Sequence, residues 1–182
     1  MAIDSEAIVR FLHILAGIVW IGHLYFFNLA NLPVFGFGIK GGDPNVKGQP
    51  ALMLRALWWF RWGAVGTLVF GLWLLDEVRR ETGLGYGEYL TDSAAGQTIA
   101  LGILLALIMF FNVWAIIWPA QKVVLNNNIA IGKGVSPEEK SRLEAENAPR
   151  VKKAKMASRV NFWLSIPMLL LMVLAAHSPI EF

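Results

Sequence analysis

Four stretches of this 182-residue chain stay apolar for close to 20 residues or more, and nothing else in the sequence restricts its fold so tightly. A helix of about 20 residues crosses a hydrocarbon core, and inside lipid every backbone N–H and C=O must find its partner within the segment. Spans are expected at about 6–32, 56–75, 97–118 and 157–178, the last beginning on the amphipathic run from Ala154. Composition agrees: 56% of residues are hydrophobic and 16% charged, against roughly 25% charged in a soluble domain. The expected fold class is all-α, an integral membrane four-helix bundle occupying residues 1–182 as a single domain. The opening MAIDSEAIVR lacks the basic n-region of a cleaved signal, so the first span is expected to stay in the mature protein.

The connections differ in character. Residues 33–50 are rich in Gly and Pro and carry no periodicity, and residues 76–92 are acidic and glycine-bearing. The longest linker, 119–156, contains Ser136, Pro137 and Glu139, the signature of a short capped surface helix. No internal repeat is visible. Twelve of the sixteen Lys and Arg residues fall in the first and third loops, counting Arg159 at the edge of the fourth span. The positive-inside rule therefore puts those loops in the cytoplasm and both termini outside, in a bacterial inner membrane crossed several times. Trp58, Trp59, Trp62, Trp118 and Trp163 then fall on the cytoplasmic boundary as an aromatic belt. This loop placement also accounts for the net charge of +3, so no nucleic-acid partner is expected. Lys152, Lys153 and Lys155, next to a span, read as attraction to anionic lipid.

With no cysteine, the chain has no disulfide, thiolate haem ligand, iron–sulfur cluster or Cys-type zinc site. It has no nucleotide-binding loop, Ser/His/Asp arrangement or metalloprotease signature either. What remains are ionisable groups inside spans, which are costly there and functional candidates by default. All three histidines, His13, His23 and His177, lie in or at the edge of spans.

Haem held without cysteine needs imidazole, or Met, Tyr or Lys, at its axial positions, and bundle cores are where facing helices supply such ligands. His13, Gly17 and Trp20 share one helical face, and the glycine would leave room for a flat macrocycle. Arg10, one turn outward, could pair with a propionate. His177 approaches the same membrane face as His13, since helix one starts and helix four ends there. The two histidines are thus candidate haem b ligands, and equally candidate copper or zinc ligands. The plainer alternative has His13 bonding a neighbouring helix and Gly17 serving close packing. A second group, His23, Arg61, Asn112 and Asn161, gathers toward the cytoplasmic half. It reads as a second cofactor, quinone or small-anion site, or more simply as an interhelical hydrogen-bond cluster with an arginine snorkelling among tryptophans. Gly63, Gly66 and Gly71 read as close helix packing, and Pro167 as a kink.

Four groups of residues together resemble the membrane domain of the bacterial membrane-bound urate oxidases. They are 11–22 (FLHILAGIVWIG), 59–62 (WFRW) with 70–75 (FGLWLL), 112–122 (NVWAIIWPAQK), and 157–168 (ASRVNFWLSIPM) running on to His177. Full-length members of that family end in a cytochrome c domain, whose Cys-x-x-Cys-His motif is missing from this chain. More distantly, helices one, two and four resemble the haem-containing protoporphyrinogen oxidases and the copper-resistance membrane proteins. The former implies haem binding at the position of His13, although Gln97 and Thr98 stand where that family has a lysine. The resemblance implies a small b-type haem membrane protein passing electrons to a cytochrome c or a quinone. Two other readings are a cofactor-free accessory subunit of a larger respiratory or photosynthetic complex, and a copper- or zinc-handling membrane protein.

Overall fold

The computed structural model describes residues 4–31, 50–177 and 179–180. The described chain is all-helical: α1 Ser5–Asn31, α2 Pro50–Thr82, α3 Tyr86–Asp92, α4 Ala94–Gly132 and α5 Pro137–His177. Three of these, α1, α4 and α5, are long and apolar enough to cross a membrane. The expected second span lies on α2, whose 33 residues are long enough but whose apolar run is interrupted by Arg61 among three tryptophans. The first-loop expectation falls almost wholly outside the described residues.

Helix starts follow local chemistry. The Asp4 carboxylate accepts from the Glu6 amide, and Ser93 Oγ accepts from the Gly96 amide at 2.9 Å. Ser136 Oγ accepts from the Glu139 amide at 3.2 Å, so the capping signature does begin a helix. That helix is not short. It runs unbroken through Pro149 and Pro167 to His177, and α4 continues through Pro119 to Gly132. Most of the stretch expected as a linker is therefore an antiparallel helical hairpin. Pro119 lacks an amide hydrogen and crowds the Ala115 carbonyl, which would normally end or kink a helix. Here the preceding turn widens into a π-helix over Asn112–Ile117, and the helix carries on. At 39 and 41 residues, α4 and α5 are about 60 Å long, roughly twice a hydrocarbon core.

Outside the apolar stretches the hairpin is held by amide side chains. Asn127 Nδ2 donates to Asn147 Oδ1 at 2.9 Å, and Asn147 Nδ2 donates to Asn128 Oδ1 at 3.1 Å. Gly83 and Gly134, both at positive φ, end α2 and α4 in the left-handed conformation that glycine adopts without strain. At the opposite end, α3 was not foreseen. Asp76 ties it to α2, pairing with Arg79 and Arg80 and accepting from the Tyr86 hydroxyl. The Tyr86 hydroxyl first, and Arg79 second, hold the Asp76 carboxyl below the usual carboxylate range.

The helices form two pairs. Helix α1 packs along α2, and α4 along α5. The α1–α2 seam is built on glycine: a Cβ on Gly63 would sit 2.9 Å from the Trp20 amide nitrogen, and one on Gly66 would sit 3.2 Å from Ala16 Cβ. Lipid tails are as apolar as leucine, so such a seam is held by close backbone packing rather than by hydrophobic burial. The pairs join through a core containing Leu24, Phe27, Phe60, Met109, Val113 and Met168. Tyr25 packs against Phe162 with the rings tilted and their centres 4.9 Å apart, and Asn28 Nδ2 donates to Ser158 Oγ at 2.9 Å. Toward the other end, Ala94–Phe111 packs on α5 rather than on α1 or α2.

Candidate functional site

His13 lies on the face of α1 that meets α2, half-buried, eight residues from the helix start. Its Nδ1 is 2.9 Å from the Thr67 carbonyl oxygen. A carbonyl only accepts, so Nδ1 carries a proton, and in the neutral imidazole Nε2 then keeps its lone pair. This is how ligating histidines are commonly oriented, with one ring nitrogen donating to a carbonyl and the other left to bind. Gly71 makes room for the ring, since a Cβ there would lie 2.9 Å from Cε1 and 3.0 Å from Nδ1. The plainer expectation, a histidine bonded to a neighbouring helix, is thus realised in a form that leaves Nε2 out of the backbone bond. Gly17 does not serve helix packing, because a Cβ on it would meet nothing within 4 Å. Trp20 is buried beside Gly63, and its indole N–H has no described partner. Arg10 is ion-paired to Glu6, one turn outward on its own helix. Glu6 in turn faces Glu81 at the end of α2, whose carboxyl its charge pushes up.

His177 ends α5 and is exposed, with Nδ1 3.0 Å from its own Val173 carbonyl. Its Nε2 is therefore also free of the backbone bond. Beyond it the chain turns back on α4, where the Ile180 amide donates to Thr98 Oγ1 at 2.8 Å. Antiparallel connectivity brings the His13 and His177 ends of the molecule to one side. No described hydrogen bond or ring contact joins the two side chains. Among the described residues no three His, Asp or Glu side chains converge as a metal site.

The second group separates into three. Asn112 Nδ2 donates to Asn161 Oδ1 at 2.8 Å, and Asn161 Nδ2 donates to the Met109 carbonyl at 2.9 Å. Asn161 is fully buried, so this pair is an interhelical clamp. It also occupies a carbonyl beside the widened π turn. Asn161→Leu is expected to cost about 1 kcal/mol in detergent unfolding, within the range for membrane hydrogen bonds. The added change Asn112→Leu should recover part of that by removing the orphaned amide. His23 bonds its own helix at Val19, 2.7 Å away, and has no described tie to either asparagine.

Arg61 sits in a cage of tryptophans, its guanidinium carbon 3.8 Å from the Trp118 ring centre, 5.5 Å from Trp114 and 5.9 Å from Trp62. Such stacking offsets part of the cost of a poorly hydrated cation, by about 0.5–2 kcal/mol. Its Nε is buried without a partner among the described residues, as is the Trp114 indole N–H.

Two contributors escaped the sequence reading. The Thr67 carbonyl that orients His13 is a backbone group and leaves no side-chain signal. The fit of Gly71 to an imidazole looks, in sequence, like any other small-residue packing position. Comparison with family models, with curated proteins and with solved structures finds no match for the chain. The fold defines a helical membrane protein on the strength of its three long apolar helices.

Proposed function

We propose that the chain is a four-span b-type haem protein of the bacterial inner membrane, acting in electron transfer, with His13 as one axial ligand and His177 as the second. The observation that carries this reading is the imidazole of His13, half-buried, oriented by the Thr67 carbonyl and keeping its Nε2 lone pair. The open position at Gly17 supports room for a flat group on the same helix. The outer part of Ala94–Phe111, ahead of the residues that join the shared core from Leu105 on, packs on α5 rather than on α1 or α2, which supports space between the helix pairs at that level. Helix α2 is counted as the fourth span because α1 packs along it and tryptophan rings cover its one interrupting cation.

A haem bound there supplies a one-electron couple in a low-dielectric site. The chain contributes ligation, orientation through Thr67, and exclusion of water. Arg10 would reach a propionate only by sharing its guanidinium with Glu6. The acceptor, a cytochrome c or a quinone, follows from the resemblance to the urate oxidase membrane domain and not from a docking surface. The optical spectrum of detergent-purified protein tests the reading. A Soret band with split α and β bands on reduction is expected, and a colourless protein from haem-replete cells would overturn it in favour of an accessory subunit.

The orientation, termini outside, rests on the charge bias of the loops. Gly85→Cys should react with an impermeant thiol reagent in intact cells, while Lys133→Cys should stay unlabelled until the cells are opened. The reverse pattern would invert the topology and move His13 to the cytoplasmic side.

A further inference from the structure

Where α2 passes the lower part of α4, a cleft of about 430 Å³ opens between them. Its lining includes Arg55 and Lys122 as two cations, Asn126 as an amide, Trp58 and Trp118 as aromatic walls, and Leu54 as apolar surface. Arg55, Lys122 and Asn126 are exposed, and none of the described carboxylates pairs with either cation. Among the described residues no acidic side chain lines the cleft. The Arg61 guanidinium, which is not among the lining residues, stacks on Trp118 at 3.8 Å and adds a third positive charge nearby.

The cleft also carries the aromatic rim expected at a membrane boundary. Trp58, Trp59 and Trp62 lie on the same stretch of α2 at 41%, 50% and 44% exposure, as rings at a lipid headgroup level do. Beyond Arg61 the helix carries no charged residue as far as Leu75.

We propose that this cleft seats the phosphate of an anionic phospholipid from the adjoining leaflet. Arg55 and Lys122 would pair with the phosphate, Asn126 would donate to the headgroup, and the acyl chains would run along the apolar surface beside Leu54. Basic pockets between membrane helices bind anionic headgroups in this way. A soluble phosphate would use the cations but gain nothing from the tryptophan rim or the apolar wall, and this favours the lipid. The proposal does not depend on the haem reading, since the cleft shares no residue with the surroundings of His13.

The test is native mass spectrometry of protein in neutral detergent, titrated with phosphatidylglycerol or phosphatidylcholine. Phosphatidylglycerol should stay bound at activation energies that strip phosphatidylcholine. Arg55→Gln with Lys122→Gln should weaken its retention by roughly five-fold for each charge removed. Lys152→Gln with Lys153→Gln, removing two charges elsewhere, should leave it within two-fold, and Arg55→Lys should bind like the wild type. Equal losses in the two double variants would reduce the effect to diffuse attraction and overturn the proposal. Equal retention of the two lipids would do the same, and so would millimolar inorganic phosphate displacing phosphatidylglycerol from the wild type.

Discussion

His13→Ala protein should emerge from purification with its helical circular dichroism unchanged and its haem content reduced by a hundred-fold or more in affinity terms. The size follows from the role proposed for the residue. Changing groups that merely orient a ligand typically costs about 10–100-fold in binding, and removing the ligand itself costs more. The change should be tolerated by the fold. The side chain is half-buried, it bonds only a carbonyl already able to serve its own helix, and its loss lets Gly71 approach α1. Gly71→Val provides an independent check. Its Cβ would lie 2.9 Å from the imidazole Cε1 and turn the ring off the Thr67 carbonyl, so a roughly ten-fold loss is expected with the ligand still present. If His13→Ala keeps a full haem spectrum, the proposed ligation is wrong.

His177 separates the two halves of that proposal. As the second axial ligand, its replacement by alanine should convert a low-spin spectrum to high-spin and open the iron to carbon monoxide on reduction. The geometry makes demands on it, because the side chain is exposed at the last residue of α5 while His13 lies two turns inside α1. A low-spin spectrum unchanged by His177→Ala would pass the role to another side chain. Met172 is then the first to try, since it lies on the same helix at the level of Gly102, where a Cβ would meet its methyl group at 3.3 Å. Met168 is committed to the core at 4% exposure, and His23 lies ten residues deeper than His13.

The helices were legible wherever period and length alone decide them, as in α1 and the apolar halves of α4 and α5. Their ends were not. Pro119 reads as a stop by local rules, yet a π turn absorbs the missing hydrogen bond, and the helix is carried on by contacts with α5 that a single sequence does not display. Pro149 misleads in the same way, in a stretch where Asn127, Asn128 and Asn147 link two helices. The glycines of α2 were recognised as packing positions because small residues have few other uses at a membrane helix interface. That one of them receives an imidazole depends on the relative rotation of α1 and α2. The grouping of His23, Arg61, Asn112 and Asn161 separates in the structure for a related reason. Similar depth in the membrane does not mean a shared face: the two asparagines bond each other, His23 bonds its own helix at Val19, and Arg61 stacks among tryptophans.

Gly96→Ala is expected to destabilise the protein by about 3 kcal/mol, lowering the midpoint of thermal unfolding in detergent by roughly 6–12 °C. Gly96 occupies the first turn of α4, immediately after the corner where α3 ends. The chain turns there through an extended Ser93, whose hydroxyl donates to the Tyr89 carbonyl at 2.7 Å and accepts from the Gly96 amide. This folds the last turn of α3 onto the start of α4, and a methyl group on Gly96 would overlap the Tyr89 carbonyl oxygen and crowd Ser93 Oγ at 2.7 Å. Neither neighbour can swing aside as a flexible side chain would. One is backbone, and moving the other gives up the helix cap, which is worth about 1 kcal/mol. Displacing α3 would also expose Tyr89, now only 5% exposed, and loosen the Tyr86–Asp76 bond. Gly87→Ala is the matched control. It lies within α3 where a Cβ meets nothing within 4 Å, and alanine there should be neutral or stabilising by up to about 1 kcal/mol. Equal midpoints for the two variants would mean that the corner does not hold α3 against α4 as described.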